Sequence, residues 1–228
     1  MLLASFPAGP FAANCYLVGA ETECVIVDPG MDATDGVVAA LERESWRPVA
    51  IFLTHGHIDH VASAAPLAAR FGLECFVHAA DRLLLTEPAG GLSPQTASML
   101  VELIGGTTLT EPERLRFVED GDTFDVAGCP WTVVHAPGHT PGSVLYRTPY
   151  PDHAEISELA FTGDVLFAGS IGRTDLPGGD PEAMRRSLID RVLPLPDGAA
   201  VLPGHGDTSS MGFERATNPY LQPSFLRN

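Results

Sequence analysis

The sequence predicts a mixed α/β (α+β) protein, and three features lead there. Short β-type runs alternate with segments of helical period. At least one run is continuously apolar, the mark of a strand buried on both faces. Four strand ends break into turns that carry His or Asp. The same alternation in both halves of the chain points to two similar layers packed face to face.

Taken in order, Leu2 to Phe6, Cys15 to Val18 and Cys24 to Val27 are β-type runs separated by Gly, Pro and Asn, and read as a meander. Asp28-Pro29-Gly30 breaks the last of them. Asp32 to Glu44 carries Val37, Val38 and Leu41 among polar residues, a helical period that ends before Pro48. Val49 to Leu53 is the continuous apolar strand. Val61 to Phe71 is Ala-rich and helical up to Gly72, and Glu74 to Val77 is a strand again. From Ala79 to Arg114 the pattern weakens under Gly90, Gly91, Gly105 and Gly106, so this stretch is expected to be loops and one or two helices covering a site. Strands resume at Thr123 to Val126, Trp131 to Val134, Ser143 to Tyr146, Leu159 to Thr162 and Ala199 to Leu202. Pro181 to Val192 is a predicted helix, with Asp180 as its N-cap and Pro181 in the first turn.

A length of 228 residues and an apolar share of 45% suit a single domain, 1–228, with a sizeable core. No run of about 18 apolar residues could span a bilayer, and Met1 to Phe11 lacks the basic and apolar regions of a signal peptide, so a cytoplasmic location is expected. Net charge is −16, and all 13 basic residues are Arg. Nucleic acid and anionic membrane surfaces need clustered positive charge, so neither is an expected partner. Cys15, Cys24, Cys75 and Cys129 show no metal-type spacing and lie in or beside apolar runs, as reduced core thiols do.

The densest chemistry lies in Thr54-His55-Gly56-His57-Ile58-Asp59-His60, directly after the Val49 to Leu53 strand. Three imidazoles and a carboxylate within six residues suit zinc and other borderline first-row ions, and Gly56 allows the backbone to turn tightly around them. The motif sits at the carboxyl end of a strand in a β-α-β unit, where open α/β sheets place their ligands. Three other strand ends supply partners: His139 in His135-Ala-Pro-Gly-His139-Thr-Pro-Gly142, Asp164 in Phe161-Thr-Gly-Asp164, and His205 in Leu202-Pro-Gly-His205-Gly206.

Together these motifs resemble the metallo-β-lactamase-fold hydrolases over essentially the whole chain. Gly163 to Asp180 and the closing stretch from Leu202 to Leu221 resemble most the small glyoxalase II (hydroxyacylglutathione hydrolase) type. The resemblance implies a four-layer αββα sandwich with a binuclear site at one edge. It also implies that His55, His57 and His139 hold one metal, that Asp59, His60 and His205 hold the second, and that Asp164 and a hydroxide bridge them. The implied cofactors are two divalent ions, zinc foremost, with iron or manganese as the other options.

Chemistry follows from such a ligand set. Paired ions lower the pKa of a shared water from about 16 to near 7 and stabilise the oxyanion of a tetrahedral intermediate. A small-molecule thioester suits them, because a thiol of pKa about 8.5 leaves as thiolate without a proton. An amide would need an acid, and with no Lys present Asp59 or water would have to serve. Asp59 and Asp164 are therefore the candidate catalytic carboxylates.

Asp28 either stabilises the turn after its strand or braces the ligand loop. Arg173 either pairs acids of the Asp164 loop or grips a substrate carboxylate. His135 reads as a strand-end histidine behind the site, whereas His78 and His153 have no partners in view. Full-length glyoxalase II enzymes carry a helical C-terminal domain with basic residues for glutathione, and after His205 this chain offers only Arg215 and Arg227. Two other readings stay open: a mononuclear-iron persulfide dioxygenase of the same fold, and a non-catalytic, metal-stabilised binding module.

Overall fold

The computed structural model describes residues 1–151 and 153–227. Among these described residues twelve strands form two six-stranded sheets. The first holds β1 (Leu2–Ala8), β2 (Ala13–Ala20), β3 (Glu23–Val27), β4 (Arg47–Phe52), β5 (Glu74–His78) and β6 (Leu115–Val118), paired in that order. The second holds β7 (Thr123–Val126), β8 (Cys129–His135), β9 (Val144–Pro149), β10 (Glu158–Gly163), β11 (Ala199–Pro203) and β12 (Ser209–Ser210), again neighbour to neighbour. β1 to β3 are an antiparallel meander, and β3 to β6 run parallel. The second sheet is antiparallel except where β10 and β11 run side by side.

Period-2 alternation assigns each strand residue to one of two cores. On β2 to β4, Tyr16, Val18, Val25, Val27, Ala50 and Phe52 point at the second sheet and meet Trp131, Val133, Tyr146 and Phe161. Their neighbours Leu17, Cys24, Ile26 and Ile51 point outward onto α1 (Ala33–Glu44) and α3 (Ala64–Phe71), through Val37, Leu41 and Leu67. On the far side of the second sheet, Leu145, Ala160 and Val201 pack on Met184 and Leu188 of the helical segment after Asp180 and on Met211. The order of layers is helix, sheet, sheet, helix, as expected. All four cysteines are buried and unpaired.

Some elements differ from the sequence expectation, each for a local reason. The helix expected over Val61 to Phe71 begins earlier and is broken: α2 spans Ile58–Val61, and α3 follows after Ala62 and Ser63. At the break the Ser63 amide donates to Pro29 O (3.0 Å) and its hydroxyl accepts from the Ala33 amide (3.2 Å), so Ser63 ties the loop after β3 to the start of α1. Asp32 precedes α1 in a left-handed conformation (φ 56°) with no side-chain cap bond. The stretch from Ala79 folds as single turns and the short helices α4 (Pro94–Ser98) and α5 (Leu100–Ile104), with β6 following as an edge strand. Helix α6 (Pro181–Ser187), capped by Asp180, widens over Leu188–Val192 into a turn closed by Leu193 N to Leu188 O. Beyond β12 come α7 (Met211–Thr217) and α8 (Pro223–Leu226). Among the described residues no helix is long and apolar enough to cross a membrane.

Phe52 is the centre of the inter-sheet core, with ring centroids 4.7 Å from Tyr146, 4.8 Å from Phe76 and 5.0 Å from Trp131. Phe52→Ala is expected to lower unfolding free energy by about 3 to 5 kcal/mol, since fully buried aromatics leave a cavity their neighbours fill only partly. Urea denaturation of the metal-free proteins measures it, and a loss under 1 kcal/mol would show that the two sheets do not depend on this contact.

Candidate metal centre

Four strand ends meet at one edge of the sandwich, and the backbone there is pinned before any ion is considered. Where β4 ends, the Thr54 amide and hydroxyl donate to Asp28 Oδ1 and Oδ2 (2.7 and 2.6 Å), so the acid ending β3 holds the start of the His loop. His57 is extended (φ −66°, ψ 145°) and hands the chain to α2, which carries Asp59 and His60. Gly56 passes where a Cβ would lie 2.9 Å from the Asp81 carbonyl and 2.8 Å from the Leu84 Cβ, so a side chain is excluded. The His139 turn lies between β8 and β9, Asp164 follows β10, and His205 follows β11. The Asn14 amide group donates to Pro203 O and Gly206 O (3.0 and 2.9 Å), and Tyr16 OH donates to Pro203 O (2.7 Å), which fastens the His205 loop to β2.

The predicted site residues converge. His55, His57 and His139 present ligand atoms within 4.8 Å of one another, and so do Asp59, His60 and His205. His57 Nδ1 and His139 Nε2 are 2.8 Å apart, and His60 Nε2 and His205 Nε2 are 3.2 Å apart. Asp164 stands between the two groups, Oδ1 at 3.4 Å from His60 Nε2 and Oδ2 at 3.5 Å from His139 Nε2 and 3.7 Å from His205 Nε2. Asp59 Oδ2 lies 3.1 Å from His205 Nε2. Asp28, His55 and His60 form a third close group, but both Asp28 oxygens are already occupied by Thr54 and by His60 Nδ1 at 3.1 Å. Asp28 therefore braces the site from behind.

Outer hydrogen bonds decide which nitrogens face inward. His139 Nδ1–H donates to Arg173 O (2.7 Å) and His60 Nδ1–H to Asp28, leaving each Nε2 toward the centre. The Thr54 hydroxyl spends its proton on Asp28, so its oxygen accepts from His55 Nδ1–H at 3.1 Å. His55 Nε2 and Asp164 Oδ1 are then buried without a hydrogen-bond partner, as is His57 Nε2. Buried polar atoms left unsatisfied cost about 1 to 3 kcal/mol each, more when charged. A Cβ on Gly204 would come 2.2 Å from Asp164 Oδ1 and 2.6 Å from His60 Cε1, so the backbone leaves room against these groups where a side chain would intrude. A cation among neutral imidazoles and carboxylates satisfies His55 Nε2 and Asp164 Oδ1, while His57 faces the group through Nδ1 with its Nε2 toward Gly91, and the residues fit a pair of borderline divalent ions.

The electrostatics divide the histidines. Burial, reinforced by neighbouring imidazoles, pushes His55 well below its ordinary value and His57 to about 3, so both keep lone pairs at neutral pH. Burial also opposes charge on His60, but Asp59, Asp164 and Asp28 outweigh it and raise His60 to about 10. Asp59, although buried, is held below the usual carboxylate range by His60 and His205.

Asp81, in the turn Ala79–Leu85, was not among the expected site residues, and it joins two ligand loops. Fully buried, its Oδ2 accepts from the Gly56 amide (2.8 Å) and the Thr140 hydroxyl (2.6 Å), and its Oδ1 from the Gly142 amide (2.7 Å). Its sequence setting, one acid ahead of an apolar run, is that of any turn residue. His78, expected to lack partners, stacks on His135 (4.1 Å, 8°), and His135 Nε2–H donates to Pro141 O (2.9 Å). Behind the cavity, the buried Glu214 carboxylate accepts from the Gly169 amide (2.8 Å) and from Asn218 (2.8 Å), holding the loop after Asp164. Arg173 faces the cavity but is bound to Asp175 through two bonds of 2.7 Å. A cavity of about 430 Å³ opens over both groups, walled in part by Gly91 to Ser93 and Thr96, so the stretch after Ala79 does cover the site.

Metal binding requires neutral His60, so at pH 7 ion uptake by the metal-free protein should release protons. The sign follows from the raised value: the stability His60 contributes to the metal-free fold is complete below its unfolded value of 6.5 and is lost as pH rises through about 10. Apparent metal affinity should accordingly increase from pH 7 toward pH 10. Dye-monitored titration with zinc measures both, and uptake without proton release would mean that His60 is already neutral.

Residues 8–205 match the model of the metallo-beta-lactamase superfamily. An uncharacterised protein of Mycobacterium tuberculosis is 42% identical over 225 residues, 97% of this chain and 98% of that protein. The hydroxyacylglutathione hydrolase GloC of Haemophilus influenzae is 34% identical over 217 residues, 94% of this chain and 95% of its own. Among solved structures, TTHA1623 in a di-iron-bound form superposes with a TM-score of 0.76 at 36% identity, covering 97% of this chain and all of that one. The fold, the converging His and Asp side chains and these likenesses lead to one conclusion: the chain belongs to the metallo-beta-lactamase superfamily.

Proposed function

We propose that this chain is a metal-dependent hydrolase of thioesters, of the hydroxyacylglutathione type in its acyl half. The observation that carries the reading is the pair of ligand groups facing each other across Asp164, with His55 Nε2 and Asp164 Oδ1 buried and left without a hydrogen-bond partner. His55, His57 and His139 would hold one ion and Asp59, His60 and His205 the other, with Asp164 shared. Two divalent ions there, zinc by preference for this ligand set or iron as in the di-iron relative, supply a water ionised near neutral pH and polarise a carbonyl.

The rest falls to the chain's own residues. His139, His60 and His55 are locked by Arg173 O, Asp28 and Thr54, so the donor set is organised before substrate arrives. Phe167 lies edge-on to His205 (6.1 Å, 89°) and lines the cavity beside it. Asp59 stays ionised at neutral pH and so holds charge rather than donating a proton. Outside the ligand set the cavity presents hydroxyls, apolar side chains and Arg173, none an acid of suitable pKa. A leaving thiolate needs none, whereas an amide nitrogen does. This favours thioesters over amides and lactams. The likeness to a hydrolase named for hydroxyacylglutathione supports the same class. A mononuclear-iron oxygenase would have use for only one of the groups, and a purely structural ion would not call for an open cavity above it.

Metal analysis combined with a thioester panel tests the reading; two ions per chain with no thioester hydrolysed would reject it. Asp164→Ala removes the shared carboxylate, so the second ion and at least 10²-fold in kcat should be lost together. Full metal content and turnover in that variant would refute the bridge. Separately, His55→Ala should empty the first site while Asp59→Ala mainly weakens the second; equal loss of both ions in each variant would indicate one cooperative site.

A further inference from the structure

Resting on the thioester reading, we infer that the cavity accepts the thiol half of the substrate as an uncharged arm and selects against anionic carriers such as glutathione. The wall beyond the metal groups is apolar, with Phe11, Leu92, Ile171 and Leu176, and its polar contribution from the covering segment is the neutral hydroxyls of Ser93 and Thr96. Among the described residues Arg173 is the one cationic side chain lining the cavity apart from the imidazoles. Its Nε and Nη2 already donate to the two oxygens of Asp175, both at 2.7 Å. A substrate carboxylate is left the Nη1 edge of a guanidinium whose charge Asp175 already offsets, and it meets the repulsion of that neighbouring acid.

Among the described residues no other guanidinium lines the cavity. Arg147 is bound three ways to Glu158, at 3.0, 2.8 and 2.7 Å, and does not line the cavity. Arg215 follows the last histidine in sequence, where a carrier grip would be sought, but it donates to Asp197 (2.8 Å) and to the carbonyls of Leu193 and Leu195. It fastens α7 to the turn after α6. With a net charge of −16, long-range attraction for an anion is absent, and salt screens charges beyond about 8 Å, so only local cations could recruit one. A carboxylate entering this cavity loses water and finds, as its one guanidinium, an Arg173 already paired with Asp175. A neutral arm of amides and methylenes meets hydroxyls and hydrocarbon.

The test uses the metal-loaded protein and two thioesters sharing one hydroxyacyl group: glutathione, anionic at neutral pH, and pantetheine, neutral and of similar length. The pantetheine ester should be hydrolysed with kcat/KM about fivefold or more above that of the glutathione ester, and parity counts against the inference. In Asp175→Asn, which frees Arg173 at an exposed position, the glutathione-to-pantetheine ratio should rise fivefold or more. A wild-type preference for glutathione, or a ratio unmoved by Asp175→Asn, overturns the inference. Calorimetry with the corresponding non-hydrolysable S-alkyl thioethers gives a readout independent of turnover. Should neither ester be cleaved by protein carrying both ions, the thioesterase reading fails, and the order of thioether affinities still decides between a neutral and an anionic carrier.

Discussion

Everything at this edge of the molecule depends on keeping seven candidate metal-ligating side chains crowded in a space where their imidazole and carboxylate atoms cannot all satisfy one another. His57 and His139 approach to 2.8 Å, His60 and His205 to 3.2 Å, and Asp164 stands between the pairs. Such a cluster is unfavourable without a cation and can exist only if other interactions hold its backbone. Two buried carboxylates do so. Asp28 takes the Thr54 amide, the Thr54 hydroxyl and His60, and Asp81 takes the Gly56 amide, the Thr140 hydroxyl and the Gly142 amide. Each ties together loops from different strands, so the strain of the cluster is borne by charge-assisted bonds at its back.

The sandwich supplies the rigidity those bonds need. Loops that carry ligands leave the ends of β4, β8, β10 and β11, and all four strands contribute to cores that are closed to water. Phe52 sits two residues before Thr54 and packs among Phe76, Trp131 and Tyr146, so the strand entering the His loop is anchored between the sheets. The C-terminal segment extends the same logic to the cavity wall: Glu214 and Asn218 hold the loop from Phe167 to Ser170. A site built this way keeps its shape without waiting for substrate.

Charge separates the two halves of the cavity. At its floor, imidazoles and acids await positive ions; at its wall, the one guanidinium is neutralised by Asp175. The acidity of the chain as a whole has little reach through salt, so recognition of whatever enters the cavity is set by a few local side chains.

By itself the sequence determined the local periods and the ligand types. Alternation placed Val25 and Phe52 on one core and Ile26 and Ile51 on the other, because a strand sends successive side chains to opposite faces whatever lies beyond. Spacing within Thr54 to His60, and the Gly and Pro around His139, Asp164 and His205, marked the groups able to meet an ion, since turn residues report backbone shape locally. Only the tertiary structure decided what depends on contacts distant in sequence. Asp81 reads as any turn acid until Gly56 and Gly142 are brought to its oxygens; the helix after the His loop breaks at Ser63 because Pro29 and Ala33 compete for its polar groups. The pairing of His78 with His135 and the mooring of Arg215 on Leu193 and Leu195 are of the same kind. Hydrogen bonds across tens of residues leave no periodic trace in the chain, because their partners are chosen by how the sheets pack rather than by neighbours in sequence.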